Sequence, residues 1–188
     1  PFLVYYPMLL THCPFTPTPD SKDWDPKSEG AETYKGDPQH FGAMVHHMDK
    51  VVGRITAKLE EHKLRKNTIV IFTGDNGTDR PIITSLNGKK IKYGKGQMND
   101  NGTRVPLIVS YPGKIKSGSV SDDLVDFSDM FPTMCEVSGI AIPTDRAIDG
   151  VSFWSTLQGK PGRIKPWTYV WWEGKVLART QTHMIRRM

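Results

Sequence analysis

The sequence has few of the features that mark membrane, disulfide-rich or disordered proteins. Its longest apolar run, PFLVYYPMLL at residues 1–10, is far shorter than the roughly 18–20 residues that a membrane-spanning helix needs. Its two cysteines, Cys13 and Cys135, are too few for a disulfide framework and lack CxxC spacing. A hydrophobic content of 37% and a charged content of 24% exclude a disordered chain. The 188 residues are therefore typical of one globular domain or slightly more.

The chain has a modest basic excess, with 25 Lys and Arg against 20 Asp and Glu. A nucleic-acid-binding domain would gather its cations on one face with interleaved aromatic residues or within a known motif, and neither is visible. We therefore expect no nucleic-acid partner. The one local group of basic residues comprises Lys89, Lys90, Lys92 and Lys95. A solvated basic loop explains this group, and so does a site for a small anionic substrate.

The clearest secondary-structure pattern is that of a long amphipathic helix over residues 41–61. Apolar side chains recur there at spacings of three and four, which is typical of a helix with one buried face. The stripe consists of Phe41, Met44, Val45, Met48, Val51, Val52, Ile55 and Leu59. A second, shorter helix is predicted over residues 128–137, although Pro132 restricts where its first turn lies.

Short apolar runs predict the strands. Residues 2–6 (FLVYY), bounded by prolines, are predicted to form a buried strand, and the proline-rich residues 11–30 a loop without regular structure. Residues 67–73 (NTIVIFT) and 105–111 (VPLIVSY) are continuous apolar runs, which is typical of parallel strands covered on both faces. A further aromatic strand is predicted over residues 167–172 (WTYVWW).

The order of these elements predicts the α/β class, with part of a mixed, largely parallel sheet flanked by helices. The composition changes after Gly159 to Lys-Pro-Gly-Arg and then to aromatic residues. We therefore predict that residues 1–160 belong to one α/β domain and that 161–188 begin a smaller subdomain. Because the sequence starts within an apolar run and stops without a tail, we expect both units to be incomplete.

The sharpest local motif is Thr73-Gly74-Asp75-Asn76-Gly77, directly after the strand at 67–73. An Asn-Gly pair between apolar runs is a strong signal for a β-hairpin turn. A ligand site also explains the motif, because ligands bind beyond the carboxyl ends of the strands in parallel sheets. Asp75 and Asn76 offer a carboxylate and an amide oxygen, which suit Ca²⁺ or Mg²⁺. Such a cation takes about six to eight oxygens, so these two residues would provide only part of its shell.

Two further residues are candidates for contact with an anion. His12 lies at the end of the predicted first strand, where a structural role also stays open for a lone histidine. Lys95 stands between Gly94 and Gly96, which expose it, but no GxxxxGK[ST] pattern precedes it, so it is not part of a P-loop. Cys13 is not expected to act as a nucleophile with His12, because adjacent residues of an extended segment point to opposite sides.

Six segments of the chain, in fixed order, resemble one family, the arylsulfatase-like sulfatases of the alkaline-phosphatase-like superfamily. The resemblance extends over nearly the whole chain, and six ordered motifs are far more specific than any one of them. The segments are 7–21 (PMLLTHCPFTPTPDS), 48–54 (MDKVVGR), 67–77 (NTIVIFTGDNG), 95–109 (KGQMNDNGTRVPLIV), 126–133 (DFSDMFPT) and 149–153 (DGVSF).

The resemblance implies a role for each candidate residue. Asp75 and Asn76 would supply two ligands of a catalytic divalent cation, normally Ca²⁺, with Mg²⁺ as the alternative. His12 and Lys95 would contact the sulfate group and its bridging oxygen, where negative charge develops as the S–O bond breaks. The implied activity is hydrolysis of a sulfate ester on a small molecule or a carbohydrate. Residues 1–160 would be the carboxyl-side part of the catalytic domain.

The sequence departs from the family pattern at the nucleophile. Family members attack sulfur with a formylglycine hydrate made from the cysteine or serine of a C/S-x-P-S/A-R motif, and neither Cys13 (CPFTP) nor Cys135 (CEVSG) lies in one. We therefore expect the formylglycine in an amino-terminal part outside these residues, and expect these residues alone to be inactive. Two alternatives stay open: a phosphodiesterase or phosphonate hydrolase of the same superfamily, and a non-catalytic remnant that binds anions.

The resemblance also implies a location and a partner for the protein. Members of the family are commonly exported, so a periplasmic or secreted location is expected for the full-length protein. The amino-terminal half of the same protein is the expected partner of these residues. Without it, strand edges and apolar faces would be exposed, so we expect the isolated part to self-associate.

Overall fold

The computed structural model describes residues 1–161, 163 and 165–187. None of the helices in these ranges combines the length and the hydropathy that crossing a membrane requires. The helices and strands, in chain order, are α1 (Phe41–Glu61), β1 (Val70–Thr73), β2 (Ile83–Leu86), β3 (Lys89–Lys92), α2 (Asp100–Thr103), β4 (Leu107–Ser110), α3 (Met130–Ser138), α4 (Trp154–Leu157), β5 (Thr168–Trp172), β6 (Lys175–Arg179) and β7 (Met184–Arg187).

Helix α1 has the bounds that its apolar stripe predicts. Its amino-terminal turns pack on a small core: Met44 is buried with Cys13, Phe15 and Ile82, and Phe41 packs against this cluster. The rings of Phe15 and Phe41 meet edge to face, with centroids 5.7 Å apart. The helix therefore supports the segment that follows His12, and this is its contribution to the site described below.

Strands β1 and β4 pair antiparallel, with Thr73 opposite Leu107. The parallel pairing expected for these two runs is therefore wrong, and the other strand pairs within the described ranges are antiparallel as well. A continuous apolar run does not fix the direction of the neighbouring strand, and the expected cover on both faces is wrong for β4, whose residues alternate between half-buried and exposed. Arg65 holds one end of the pair, because its buried guanidinium donates to the Thr68 carbonyl at 3.0 Å and to the Ser110 hydroxyl.

The hairpin turn of this region lies after Leu86 and not at Asn76-Gly77. Strands β2 and β3 are joined by Asn87 and Gly88, with φ of 51° and 75°. Two successive residues with positive φ are the mark of the type I′ turn, which matches the twist of a hairpin and favours Asn-Gly. The same sequence rule therefore holds, but at the second Asn-Gly pair of the chain.

The predicted aromatic strand is β5, and it forms an antiparallel sheet with β6 and β7 in the order β5-β6-β7. Glu173 and Gly174, with φ of 48° and 76°, make the turn between β5 and β6. This sheet begins a few residues after the predicted boundary at 160/161. That boundary, and the assignment of residues 161–188 to a separate subdomain, stay predictions.

The amino-terminal segment differs from the expected buried strand. Residues 2–6 form no strand, and their side chains are exposed, with Tyr5 at 84%. A strand is stabilised by hydrogen bonds to a neighbouring strand, and no described segment pairs with these residues. The proline-rich residues 11–30, by contrast, contain no helix or extended strand, as predicted.

A buried ion-pair cluster, which we call the Asp129 latch, fixes the amino terminus of α3. The Asp129 side chain is 0% exposed and accepts hydrogen bonds from Arg163 and Lys165, each at 2.6 Å. It also accepts from the backbone N–H groups of Val151, at 2.8 Å, and Asp126, at 3.0 Å. A buried carboxylate needs such partners to offset its lost hydration. The motifs at 126–133 and 149–153 thus serve packing in this structure.

Asp126 extends the latch toward the surface. Burial raises the pKa of the Asp126 carboxyl, but hydrogen bonds from Lys165 and Ser128 outweigh burial, so this pKa lies below its ordinary value. The Lys165 ammonium lies 2.8 Å from Asp126 and 2.6 Å from Asp129, so it joins both carboxylates. The latch connects the segment before β5 to α3, and in this way it also fixes where the carboxyl-terminal sheet begins.

Candidate functional site

The structure brings together two of the predicted site residues, His12 and Lys95. The Lys95 Nζ atom lies 3.0 Å from His12 Nε2, although 83 residues separate the two positions. Both side chains lie at the surface, where a solute can reach them. The meeting of a histidine and a lysine from distant loops is therefore the centre of the candidate site.

Both nitrogens of the His12 ring have a hydrogen-bond partner. Its Nδ1 atom lies 2.6 Å from the Cys13 carbonyl oxygen, which can only accept, so Nδ1 carries a proton. The Lys95 ammonium can only donate, so His12 Nε2 accepts through its lone pair. Contacts at both ring nitrogens therefore orient His12 toward Lys95.

The segment around His12 is anchored on its other side by buried residues. Cys13 is 6% exposed and Phe15 is 1% exposed. The Phe15 backbone donates to the Lys35 carbonyl at 2.8 Å and accepts from the Asp37 N–H at 2.9 Å, so the loop is paired as well as packed. The buried and hydrogen-bonded residues after His12 therefore fix its backbone, while its side chain stays exposed.

Asp79 joins three parts of the site, and sequence reasoning missed it. Its carboxylate accepts from Lys35 Nζ and from the Cys13 thiol, whose sulfur lies 3.4 Å away. Burial raises the pKa of Asp79, but hydrogen bonds from Lys35, the Arg80 backbone N–H and Cys13 outweigh burial, so the pKa lies below its ordinary value. Asp79 is thus a carboxylate that ties the His12 segment to the loop after β1.

Asp75 and Asn76 lie on that loop, directly after the end of β1, and both are exposed. The Asn76 backbone N–H donates to the Asp75 carboxylate at 2.9 Å, and its side-chain amide donates to the same group. No direct hydrogen bond links either residue to His12 or Lys95 in the part of the chain that the structure describes. The connection is indirect, because the Thr78 carbonyl accepts from the Lys95 N–H at 3.0 Å.

Close backbone contact holds this loop against the Lys95 loop. A β-carbon at Gly77 would lie 1.8 Å from the Asn101 carbonyl oxygen, and one at Gly94 would lie 2.0 Å from the same atom. Only glycine allows backbones to approach so closely. The glycines of the DNG and YGKG segments therefore allow the loop that carries Asp75 to lie next to the loop that carries Lys95.

The donor chemistry at Asp75 and Asn76 fits part of a hard-cation site. A carboxylate and an amide oxygen are the kinds of ligand that Ca²⁺ and Mg²⁺ prefer, and exposure leaves both free to bind. Within residues 1–161, 163 and 165–187, no three His, Cys, Asp or Glu side chains come together as a metal-binding group. The assignment of Asp75 and Asn76 as two ligands of a metal therefore stays a prediction.

The basic group recognised in the sequence divides into two parts. Lys89, Lys90 and Lys92 are exposed on β3 of the hairpin, and Lys95 leaves the hairpin and turns to His12. The Tyr93 N–H donates to the Ile82 carbonyl at 3.1 Å, which closes the base of the hairpin next to Lys95. The three hairpin lysines are therefore solvated, whereas Lys95 belongs to the candidate site, where its contact with an anion stays a prediction.

A family model described as Sulfatase matches residues 1–140. The chain is 34% identical to the uncharacterized sulfatase YdeN of Escherichia coli over 165 residues, which are 85% of this chain and 28% of YdeN. It is 32% identical to human arylsulfatase D over 171 residues, which are 87% of this chain and 27% of that protein. The chain thus spans less than a third of the length of these curated relatives.

Solved structures give the same fold. BT4656 in complex with its substrate D-glucosamine-2-N,6-O-disulfate superposes with a TM-score of 0.62 and 28% identity, over 77% of this chain and 31% of that chain. Ps i-CgsB in complex with k-i-k-neocarrahexaose superposes with a TM-score of 0.65 over 91% of this chain and 38% of that chain; its 20% identity bears on the fold alone. The α/β fold of the alkaline-phosphatase-like class is confirmed. The roles of His12, Lys95, Asp75 and Asn76 stay predictions.

Proposed function

The chain belongs to the sulfatase family, and from this premise we propose that the full-length protein hydrolyses sulfate esters. The observation that carries the proposal is the 3.0 Å contact between Lys95 Nζ and His12 Nε2. The ion pairs found among the described residues do not include Lys95, so its charge is not neutralised by a carboxylate there. A cation and an imidazole at one exposed point suit the oxygens of a sulfate ester.

In this proposal Lys95 and His12 bind the ester and stabilise the charge that forms. The Lys95 ammonium would lie beside the bridging oxygen, and cationic donors fixed in place before reaction lower the barrier for charge development. The departing alcohol also needs a proton, and the pair of Lys95 Nζ and His12 Nε2 would supply it. The hydrogen bond from His12 Nδ1 to the Cys13 carbonyl keeps the ring oriented for both tasks.

Two groups from outside the described chain complete the proposed site. Asp75 and Asn76 would hold a divalent cation, Ca²⁺ in the first place and Mg²⁺ as the alternative. When bound, such a cation supplies charge stabilisation for the oxygens of the ester. The nucleophile would be a formylglycine in an amino-terminal part of the full-length protein, because this sequence contains no C/S-x-P-S/A-R motif.

The substrate proposed is a sulfated small molecule or carbohydrate. The substrate of BT4656 is D-glucosamine-2-N,6-O-disulfate, and N-acetylgalactosamine-6-sulfatase of Sus scrofa is 32% identical over 85% of this chain, which supports a sugar. An exported location, periplasmic or secreted, is proposed for the full-length protein on the same family grounds.

The direct test of the function is turnover by the protein expressed from its complete coding sequence with the enzyme that forms formylglycine. We expect it to release 4-nitrophenol from 4-nitrophenyl sulfate faster than from 4-nitrophenyl phosphate or bis(4-nitrophenyl) phosphate. Faster cleavage of either phosphate would support the phosphoryl-transfer alternative. Absence of turnover on all three and on N-acetylglucosamine 6-sulfate, in a folded and modified protein, would support a non-catalytic remnant.

Calcium binding tests the metal assignment separately from turnover. In calorimetric titration of the full-length protein, Asp75→Ala should weaken the affinity for Ca²⁺ by about tenfold or more, because it removes a charged oxygen ligand. Asp122→Ala, which removes an exposed carboxylate elsewhere, is the matched control and should bind as the unaltered protein does. Equal affinity in both variants would exclude Asp75 as a ligand.

A further inference from the structure

Two adjacent residues, Thr78 and Asp79, hold both segments that carry the His12–Lys95 pair. The Thr78 carbonyl accepts a hydrogen bond from the Lys95 backbone N–H at 3.0 Å, and so holds the Lys95 loop. The Asp79 carboxylate accepts from the thiol of Cys13, the residue next to His12, with sulfur and oxygen 3.4 Å apart. Two segments that are distant in sequence are thus attached to one dipeptide.

The contact at Cys13 extends to the His12 ring. The Cys13 carbonyl oxygen lies 2.6 Å from His12 Nδ1, and the Cys13 sulfur lies 3.8 Å from the same nitrogen. Cys13 is 6% exposed, so packing fixes it in addition to the carboxylate. Because His12 contacts Cys13 and Cys13 contacts Asp79, a displacement of Cys13 would move the imidazole relative to Lys95 Nζ.

Both oxygens of the Asp79 carboxylate are engaged, and all their partners are donors. One oxygen accepts from the Arg80 backbone N–H at 2.8 Å, and the other accepts from the Cys13 thiol and the Lys35 ammonium. Donors on both sides require an ionised carboxylate, because an amide would turn its NH₂ group toward one set of donors. Asparagine therefore has the same shape at this position but cannot make the same contacts.

We propose that Asp79 is a positioning residue for the reaction: it sets the geometry of His12 and Lys95 without touching the ester. No hydrogen bond joins the Asp79 side chain to His12 or Lys95 among the residues that the structure describes, so it acts through Cys13 and the loop that it anchors. A displacement of about 1 Å at a reacting group can lower a rate roughly 10²-fold. The inference rests on the proposed function, because only then does the geometry of the pair affect turnover.

Turnover by the full-length protein with its formylglycine tests the inference through Asp79→Asn and a matched control, Asp20→Asn. Asp20 is a similarly covered carboxylate, 25% exposed against 19% for Asp79, and it too pairs with basic side chains, on α1. Both kcat and KM are measured for 4-nitrophenyl sulfate and for phenyl sulfate. Phenol is a weaker acid than 4-nitrophenol, so its departure depends more on the groups that stabilise the leaving oxygen.

Asp79→Asn should lower kcat for 4-nitrophenyl sulfate by about 10- to 100-fold with little change in KM, and the loss should be larger for phenyl sulfate. A variant that is only less stable loses active molecules, so kcat would fall by the same factor for both esters. Asp20→Asn should retain nearly full kcat on both. Equal losses on the two esters, or equal kcat values for the two variants, would overturn the proposal and leave the proposed function standing.

The reactivity of Cys13 tests the same inference without turnover. Alkylation of each cysteine by iodoacetamide is followed by mass spectrometry of its peptide in the full-length protein. Cys135, on α3 and 7% exposed, is the internal reference. Asp79→Asn should raise the rate at Cys13 by about tenfold or more and leave the rate at Cys135 unchanged, because loss of the hydrogen bonds to a charged group lets this segment open locally.

Acceleration of both cysteines would indicate general destabilisation, and acceleration of neither would show that Asp79 does not fix the His12 segment. Each of these results would overturn the proposal. If the unaltered protein turns over no ester, the proposed function fails, whereas the two alkylation rates still decide whether Asp79 fixes this segment.

Discussion

Replacement of Lys95 by alanine should lower the turnover of a sulfate ester by about 10²- to 10³-fold in the full-length protein. The substitution removes the ammonium that lies 3.0 Å from His12 Nε2 and, with it, the charge placed where the leaving oxygen becomes negative. The loss should appear mainly in kcat, because the interaction is stronger in the transition state than in the bound ester. Initial rates with 4-nitrophenyl sulfate over a range of concentrations would separate kcat from KM.

Lys92 offers a control for this prediction. It carries the same charge three residues earlier and is exposed on β3. Lys92→Ala should retain nearly full turnover, because only the general positive field around the site changes. If Lys95→Ala and Lys92→Ala behave alike, Lys95 has no special position and the proposed site is wrong.

Substitution of Asp129 by asparagine should lower the free energy of unfolding by about 3–5 kcal/mol, because it leaves buried cations without their counter-charge. Arg163, at 2% exposure, and Lys165, at 8%, both donate to this carboxylate. Lys165 keeps Asp126 as a partner at 2.8 Å, so the deficit falls mainly on Arg163. Urea unfolding followed by circular dichroism would measure the change.

Asp145 provides the matched control for the latch. It forms an ion pair with Arg146 at 2.7 Å, but both side chains are about two-thirds exposed, at 65% and 68%. Water replaces an exposed ion pair at little cost, so Asp145→Asn should leave the urea midpoint nearly unchanged. A midpoint for Asp129→Asn that is as high as that of Asp145→Asn would show that the latch does not stabilise the fold.

The sequence predicted those parts of the fold that depend on local pattern. Helix α1 has the predicted bounds because its apolar spacing repeats over many turns. Strands β1, β4 and β5 lie within their predicted runs, but the direction of pairing and the missing strand at residues 2–6 were wrong. Both errors concern a strand's neighbour, which a local pattern does not specify.

For the candidate site, too, the sequence predicted the local motifs but not the contacts between distant segments. The motifs drew attention to His12 and Lys95, and the structure places them in contact. Asp79 was missed because nothing near it in the sequence indicates that Lys35 and Cys13, 44 and 66 residues away, meet its carboxylate.

The central claim is that His12 and Lys95 act as one unit on the sulfate ester. A double-mutant cycle tests it most directly: kcat/KM for 4-nitrophenyl sulfate is measured in the full-length protein, in His12→Ala, in Lys95→Ala and in the double variant. Residues that act as a unit lose their contributions together, so the double variant should be little slower than the slower single variant. Losses that multiply, as for two independent residues, or single variants as active as the unaltered protein, would contradict the account.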